Sequence, residues 1–535
     1  MVAMVKVSIG AAVVTAALLW AASPAGGAGP LVWIALVPVA TVVLSAPGTR
    51  AARLAVPLAY ALYLELLLVP ALPFGIASGQ WGDATVSVMV GDSPVLAVAL
   101  VAVPLFGALL YLIRFGEPWG AELLGPRLSM AAAVLVPAVA WTGLDLLRAK
   151  LEPGGSWGPL FLSQLDPPAS DLAALGGPWL VTLAIVAVNF GLALALVRRR
   201  AAPALVPAVA VAAALAISAA AEDEPSGPPV AVAAVQPGYD TAEEETEPRR
   251  LRHWYAGEFN LAARDLMRDL GGLTRRAARE GAEIVVWPEA VTFVDLQHRR
   301  GARAALRRIA RDSGVTIVAP YFDRVSQTSA AIAASPRGAL TSPRPKQRPM
   351  WFLGERAVGK EPRAVPVADR ELGTLLGVDV QDPNVAGALS EAGAELVASS
   401  THDWAQLATQ HRALAALGAK ASGVPVVRAD WRYGSAIYER DGEVVADAGE
   451  GRTRTVLVAE VRAGSPTPYA HLGDAIGWVA LAAAAIAWLA AAAAHMATRG
   501  DARAFGGRAP RRESPRPRPS PVPPRADGVR SPPPP

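Results

Sequence analysis

Residues 283–291 read EIVVWPEAV, an apolar, mostly β-branched run that stops at Trp287-Pro288 and then presents Glu289. A run bounded by proline reads as a strand whose backbone pairing ends there. Glu289 is therefore expected at a sheet edge over a cleft, as a chemical group or as an ordinary solvated strand-end acid. The stretch THDW (401–404), followed by His411, invites a metal reading. Neighbours i and i+1 point apart, however, and no third ligand stands at zinc-like spacing, so no metal and no cofactor is expected. Asp379 and Asp382 lie in GVDVQDPN, where Asp-Pro-Asn is turn chemistry and Asp382 or Asn384 is placed to cap the next helix. The glycines form no phosphate loop. The chain has 0 cysteines, which excludes disulfides and thiolate metal sites.

The elements that would carry these residues alternate between 229 and 462. Short apolar strands (VAVAAVQPG at 230–238, EIVVWPEA, VTIVAPYF, TLLGVDV, AELVASS, VPVVRAD) are interleaved with charged amphipathic helices. The helices are expected over YAGEFNLAARDLMRDLGGLTRRAAREGA and around 301–313, 385–393 and 405–422, with a paired-strand region around 329–340. GSAIYERDGEVVAD reads as a hairpin turning at Asp441-Gly442. This alternation predicts an α/β layered domain.

The rest of the 535 residues follows a different rule. Hydrophobic residues make up 52% and charged ones only 18%, and the apolar residues gather into long uncharged blocks at both ends. Roughly 20 apolar residues in a helix span a bilayer core of about 30 Å. Eight spans are expected, near 7–23, 31–46, 53–72, 94–113, 128–147, 176–197, 203–220 and 475–494; a cleaved signal peptide is the alternative for the first. Arg50, Arg53, Arg114, Arg127 and the Arg198-Arg199-Arg200 triplet fall in alternate loops, which puts both termini in the cytoplasm and residues 226–470 outside. The expected divisions are thus 1–225 as membrane helices, 226–470 as the external domain, 471–498 as a last membrane helix and 499–535 as an Arg/Pro-rich tail without fixed structure. The net charge of +4 owes much to that tail and gives no sign of a nucleic-acid partner.

The motifs AVQPG, VVWPEA, Lys346 ahead of FLGE, GVDV and THDW…QHRALAALGAKASGVPVVRAD…GSAIYERDGEVV, in that order, resemble the carbon-nitrogen hydrolase (nitrilase) domain carried by the apolipoprotein N-acyltransferase family. The loop and span containing Trp157, Ser163-Gln164 and Asn189 resemble that family's membrane region. The resemblance implies a polytopic α-helical membrane protein of about eight spans holding an external α-β-β-α sandwich. It implies a site in which a thiolate attacks an acyl carbon, a carboxylate relays protons and an ammonium supports the oxyanion. Glu289 matches the base, Lys346 the lysine and Glu355 a second acid. His411 and Arg412 match residues opening a helix beside the pocket. Trp351 and Phe352, with Leu353, are candidates for a membrane-dipping, substrate-binding loop, or else core. Gln381 falls at the nucleophile position, and an amide is no nucleophile at neutral pH. The family reaction is acyl transfer from a phospholipid to the N-terminal lipidated cysteine of lipoproteins at the bacterial plasma membrane. Without a thiol that family's thioester cannot form. Two readings follow: an acyltransferase using another nucleophile or direct transfer, with Asp379 and Asp382 the nearest carboxylates, or a catalytically inactive fold that binds lipoprotein or lipid or supports a partner enzyme.

Overall fold

The computed structural model describes residues 2–46, 49–71, 117–150, 158–220, 228–238, 260–289, 296, 298–323, 325–349, 355–358, 361–367, 369–403, 405–449, 451 and 453–506. The expected span at 94–113, Trp157, the Trp351-Phe352-Leu353 stretch and the tail beyond Gly506 lie outside the described residues.

The uncharged blocks of the N-terminal half form helices α1 (Val2–Ala22), α2 (Val32–Ala35), α3 (Val37–Ser45), α4 (Arg50–Ala71), α5 (Glu117–Lys150), α6 (Asp171–Arg198) and α7 (Ala202–Ala220). Among the described residues 4 helices are long and apolar enough to cross a membrane: Met4–Ala22, Met130–Lys150, Asp171–Arg198 and Ala202–Ala220. Those expected at 31–46, 53–72 and 475–494 fall short of this length and are the shorter apolar stretches Gly29–Ser45, Ala55–Leu64 and Ala475–Ala490. The first of them is broken at Leu36. Pro38 removes a helical donor there, and the buried Asn189 of α6 repairs the break from outside. Its side-chain oxygen accepts from Leu36 N at 2.8 Å, and its amide donates to Val32 O and Ile185 O, both at 2.9 Å. In hydrocarbon no water could do this.

The second half alternates as its sequence predicts. Strands β1 (Pro229–Gln236), β2 (Ile284–Val286), β3 (Thr316–Asp323), β4 (Thr328–Ala334) and β5 (Arg344–Pro345) come first, with helices α8 (Asn260–Arg279) and α9 (Arg300–Ser313) between them. Then follow β6 (Val365–Val367), β7 (Arg370–Leu376), α10 (Pro383–Glu391), β8 (Leu396–Thr401), α11 (Ala405–Ser422), β9 (Val426–Asp430), β10 (Ala436–Tyr438), β11 (Val444–Asp447), β12 (Thr455–Arg462), α12 (Pro468–Leu472) and α13 (Ala475–Gly506). They build two six-stranded sheets, ordered β12-β1-β2-β3-β4-β5 and β11-β10-β9-β8-β7-β6. In each, three central strands run parallel (β1, β2, β3 and β7, β8, β9) and antiparallel strands close the edges.

Period-two alternation sorts the strand residues between faces. Val232 and Ala234 join Ile284, Val318, Leu372 and Val427 between the sheets, while Ala233 and Val235 pack with Leu270 and Leu306 of α8 and α9 on the outside. On the second sheet, Leu414 and Leu417 of α11 belong to the same buried cluster as Phe161, Trp179 and Tyr469. The order of layers is therefore helix, sheet, sheet, helix, and the last layer is continuous with the membrane-helix core.

Two of these expectations are corrected. TLLGVDV is not one strand: β7 stops at Leu376 and Gly377–Gln381 form a 3-10 turn, because the Asp379 carboxylate folds back to accept from Leu376 N at 3.0 Å. The 329–340 region is paired as expected: β4 pairs with β3 and β5, and an antiparallel bridge joins Ala334 to Leu340. The helix α13 continues past Arg499, the expected start of the unstructured tail, to Gly506, where its Ala-rich sequence meets two glycines. The hairpin at Asp441-Gly442 has the pairing expected, with Gly442 at φ +83° between β10 and β11.

Replacing Asn189 by Leu would leave the Leu36 N–H unbonded in an apolar core, which costs about 1–3 kcal/mol. The variant is expected to melt several degrees below wild type in detergent or nanodiscs, and an unchanged Tm would refute the bridging role.

Candidate active site

The sheets carry their polar residues where the parallel strands end, the usual position for ligand sites in α/β sheets. Glu289 follows β2, the turn Gly377–Gln381 follows β7, Thr401 closes β8 with His402 and Asp403 beyond it, and Asp430 closes β9. Glu289 thus stands at the end of an interior strand rather than on a sheet edge. It is also nearly enclosed: 8% exposed, beside Lys346 at 4%.

Lys346, directly after β5, puts its Nζ 3.0 Å from Glu289 Oε1 and 3.1 Å from Glu355 Oε2. Ser329 Oγ of β4 donates to Glu355 Oε1 at 2.6 Å, and the Lys346 backbone N–H donates to Ser329 O at 2.9 Å. One cation thus serves the buried Glu289 and the half-buried Glu355. Burial pushes the Glu289 carboxyl up to about 7, against the opposing pull of Lys346 and with help from Glu355. For Lys346, burial alone would lower the ammonium, but the Glu289 and Glu355 carboxylates outweigh it and hold it above its ordinary value. A carboxyl that titrates near neutrality beside a permanent ammonium is suited to accept and return a proton while the ammonium stabilises a developing oxyanion.

The β7 turn abuts this cluster. Gly377 adopts φ +51°, and a Cβ there would lie 2.5 Å from Glu289 Oε2, so only glycine fits so close to the carboxylate. The turn then leads to Gln381, which is 8% exposed. Gln381 Nε2 meets His411 Nε2 at 2.8 Å, and His411 Nδ1 meets Asp403 Oδ2 at 2.9 Å. Arg428 Nη2 reaches the same Asp403 oxygen at 2.5 Å. Burial would raise the Asp403 carboxyl, but His411 and Arg428 hold it below its usual range. As an ionised acceptor it takes the Nδ1 proton of His411, which leaves Nε2 to accept from the Gln381 amide. His411 lies inside α11 rather than opening it, since the helix starts at Ala405.

The two carboxylates nearest Gln381 are already engaged. Asp379 accepts from Leu376 N at 3.0 Å, Gln347 N at 3.0 Å and Arg348 N at 2.7 Å, and burial raises its carboxyl to about 6. Asp382 caps α10 through Asn384 N at 3.1 Å and is paired with Lys150 at 2.8 Å and Arg348 at 3.2 Å. His402 packs on Trp431 with ring centroids 5.9 Å apart. Burial and Arg432 push its imidazole down to about 3. Among the described residues no group of 3 or more His, Asp or Glu is placed to hold a metal ion.

The structure therefore brings Glu289, Lys346 and Glu355 into one cluster and sets Gln381 against His411. Trp351 and Phe352 are outside the described residues. Two participants escaped sequence reasoning: Asp403 as partner of His411, and Arg428 behind it. The signal available was RAD at the end of the apolar VPVV run, charged residues where a buried strand continues.

The raised Glu289 carboxyl makes the stability of the fold pH-dependent. Its ordinary value is 4.5 and its folded value about 7, so between these the folded chain holds more protons than the unfolded one. Its contribution to stability is thus fully present below the lower value and is lost as pH rises through the upper one. Wild type is expected to lose melting temperature relative to Glu289→Gln as pH is raised from about 5 to about 8. Parallel melting curves across that range would contradict the assignment.

Comparison with known proteins matches these two halves separately. The family model described as apolipoprotein N-acyltransferase N-terminal domain matches residues 15–191, and the one described as carbon-nitrogen hydrolase matches 231–470. A curated relative, the apolipoprotein N-acyltransferase of Pseudomonas syringae pv. tomato, is 26% identical over 257 residues, 46% of this chain and 47% of the relative. The chain thus spans about half the length of the curated relative it matches. Among solved structures, a mutant amidase of the nitrilase superfamily from Nesterenkonia AN1 is 19% identical, covering 44% of this chain and 92% of its own, with a TM-score of 0.36. An amidase from Nesterenkonia sp. is 17% identical, covering 46% and 95%, with a TM-score of 0.34. Two family models in tandem, the first over the apolar helices and the second over the sandwich, together with the curated relative, support an apolipoprotein N-acyltransferase-like protein of the nitrilase superfamily.

Proposed function

We propose that this chain is an acyltransferase of the bacterial plasma membrane that moves an acyl chain from a phospholipid to the α-amino group of the lipidated N-terminal cysteine of a lipoprotein. In this reading the sandwich stands outside the membrane and both termini are cytoplasmic, with Glu289 the base, Lys346 the oxyanion support and Glu355 the acid that orients the lysine. The reading extends to this chain what the name of its Pseudomonas relative states. The observation that carries it is the buried Glu289–Lys346 pair, with the half-buried Glu355 beside it. Desolvating such charges costs several kcal/mol per ion before their attraction is counted, and apolar residues of similar volume often serve stability as well or better. Keeping a proton-exchanging carboxyl in such surroundings has a use in acid–base chemistry.

A second reading rests on Gln381. With an amide where the family carries its thiol, the fold would bind lipoprotein or lipid, or support a partner enzyme, without chemistry. Expression in a strain depleted of its own acyltransferase, with mass spectrometry of lipoprotein N-termini, separates the two. Acyltransferase activity predicts N-acylated termini with wild type, and a loss of roughly 100-fold or more with Glu289→Ala or Lys346→Met. Unacylated termini from a well-inserted wild-type chain would leave only the binding reading.

A further inference from the structure

Acyl transfer without a thiol requires either another nucleophile on the protein or none at all. Around position 381 the candidates are committed elsewhere, except Ser399, whose unpartnered hydroxyl shares the face of β8 that Val397 packs against the helix layer rather than the Ser400 face toward Trp287. Asp379 is saturated by backbone donors from Leu376, Gln347 and Arg348, and its role is to hold the Lys346 loop against the β7 turn. Asp382 is a helix cap clamped between Lys150 and Arg348. His411 is held on one side by Asp403 and on the other by Gln381. The hydroxyls of Ser400 and Thr401 are spent on Trp287 O at 2.7 Å and Asp430 Oδ2 at 2.7 Å. Each would have to abandon a buried partner to attack an ester. Beside the turn, what remains for chemistry is Glu289, which accepts a proton, and Lys346, which supports negative charge.

We propose, on the acyltransferase reading above, that transfer is direct: donor phospholipid and acceptor amine occupy the site together, and no covalent acyl-enzyme forms. The amine nitrogen attacks the ester carbonyl carbon and its lone pair becomes the new C–N bond, while the carbonyl π pair moves onto oxygen beside Lys346 Nζ. The Glu289 carboxylate takes one proton from that nitrogen. As the adduct collapses, the C–O bond to glycerol breaks with its pair on the glycerol oxygen, which receives the proton back from Glu289. The products are an amide and a lysophospholipid, and the enzyme returns unchanged. Gln381, tied to His411, then lines the site without reacting.

This order of events can be read with the full-length chain in detergent or nanodiscs. The probes are vesicles of phosphatidylethanolamine and phosphatidylglycerol with radiolabelled acyl chains, and a synthetic peptide bearing an N-terminal diacylglyceryl cysteine. With donor alone, no lysophospholipid burst and no denaturation-resistant label on the protein are expected. On adding the peptide, lysophospholipid and N-acyl peptide should appear in equal amounts, with intersecting initial-rate lines. Glu289→Gln should slow the transfer roughly 100-fold or more. Ser399→Ala, which removes a buried hydroxyl on β8 without a hydrogen-bond partner, should leave the rate unchanged. One lysophospholipid per chain released before acceptor is added, protein-bound label, parallel rate lines, or loss of transfer in Ser399→Ala would each overturn direct transfer while leaving the acyltransferase reading intact. Absence of N-acyl peptide under every order of addition would overturn both.

Discussion

A single ammonium enclosed between two carboxylates sets the terms for the surroundings of this site. Lys346 meets both Glu289 and Glu355 within 3.1 Å; the lysine and Glu289 are buried and Glu355 is half-buried. Removing one partner from such a group strands a buried charge, typically a loss of 3–5 kcal/mol, so the loops that deliver them must be fixed. They are fixed by backbone bonds. Lys346 N donates to Ser329 O, and Gln347 N and Arg348 N donate to Asp379, which also ties down the end of β7. The strand ends, the lysine loop and the 3-10 turn form one hydrogen-bonded frame, and Gly377 is the point where the backbone comes close enough to complete it.

How much of this was legible in the chain depended on the range of the interaction. Glu289 was legible because a β-branched run ending in proline is a local pattern, and the run does end as a strand before Trp287. Lys346 and Glu355 were legible only by resemblance, since nothing in RPKQRP marks one basic residue among several as buried. The end of β7 was misread because apolar alternation continues through Val378 and Val380. It is the Asp379 side chain, bonding backward to Leu376, that stops the ladder, and a capping bond leaves no trace in periodicity. The His411–Asp403 pair was missed for a similar reason: adjacency drew notice to His402, while the partner lay two helical turns further on.

In the bundle the same contrast holds. Long apolar runs announce α5 and α6 plainly, and α1 and α7 with less contrast, the first having a signal peptide as its alternative and the last being Ala-rich. The region around Leu36 reads as one span because its composition is apolar, yet Pro38 forbids a continuous ladder and the repair comes from Asn189, 153 residues away. A polar residue buried in an apolar helix is the visible half of such an arrangement; the backbone it serves is visible only in three dimensions.

The end of α5 reaches furthest. Lys150 joins Asp382, the residue after Gln381, to Asp474 ahead of α13, and Asp474 also receives Trp179 Nε1 from α6 and Tyr469 OH from α12. Behind that junction, α11 buries Leu414 and Leu417 in the cluster that also holds Trp179 and Phe161. Among the described residues, sandwich and apolar helices consequently share one core and one set of charge pairs. Severing the helices would bare an oily flank of the sandwich and unpair the charges beside the turn that carries Gln381, so the two halves are one folding problem.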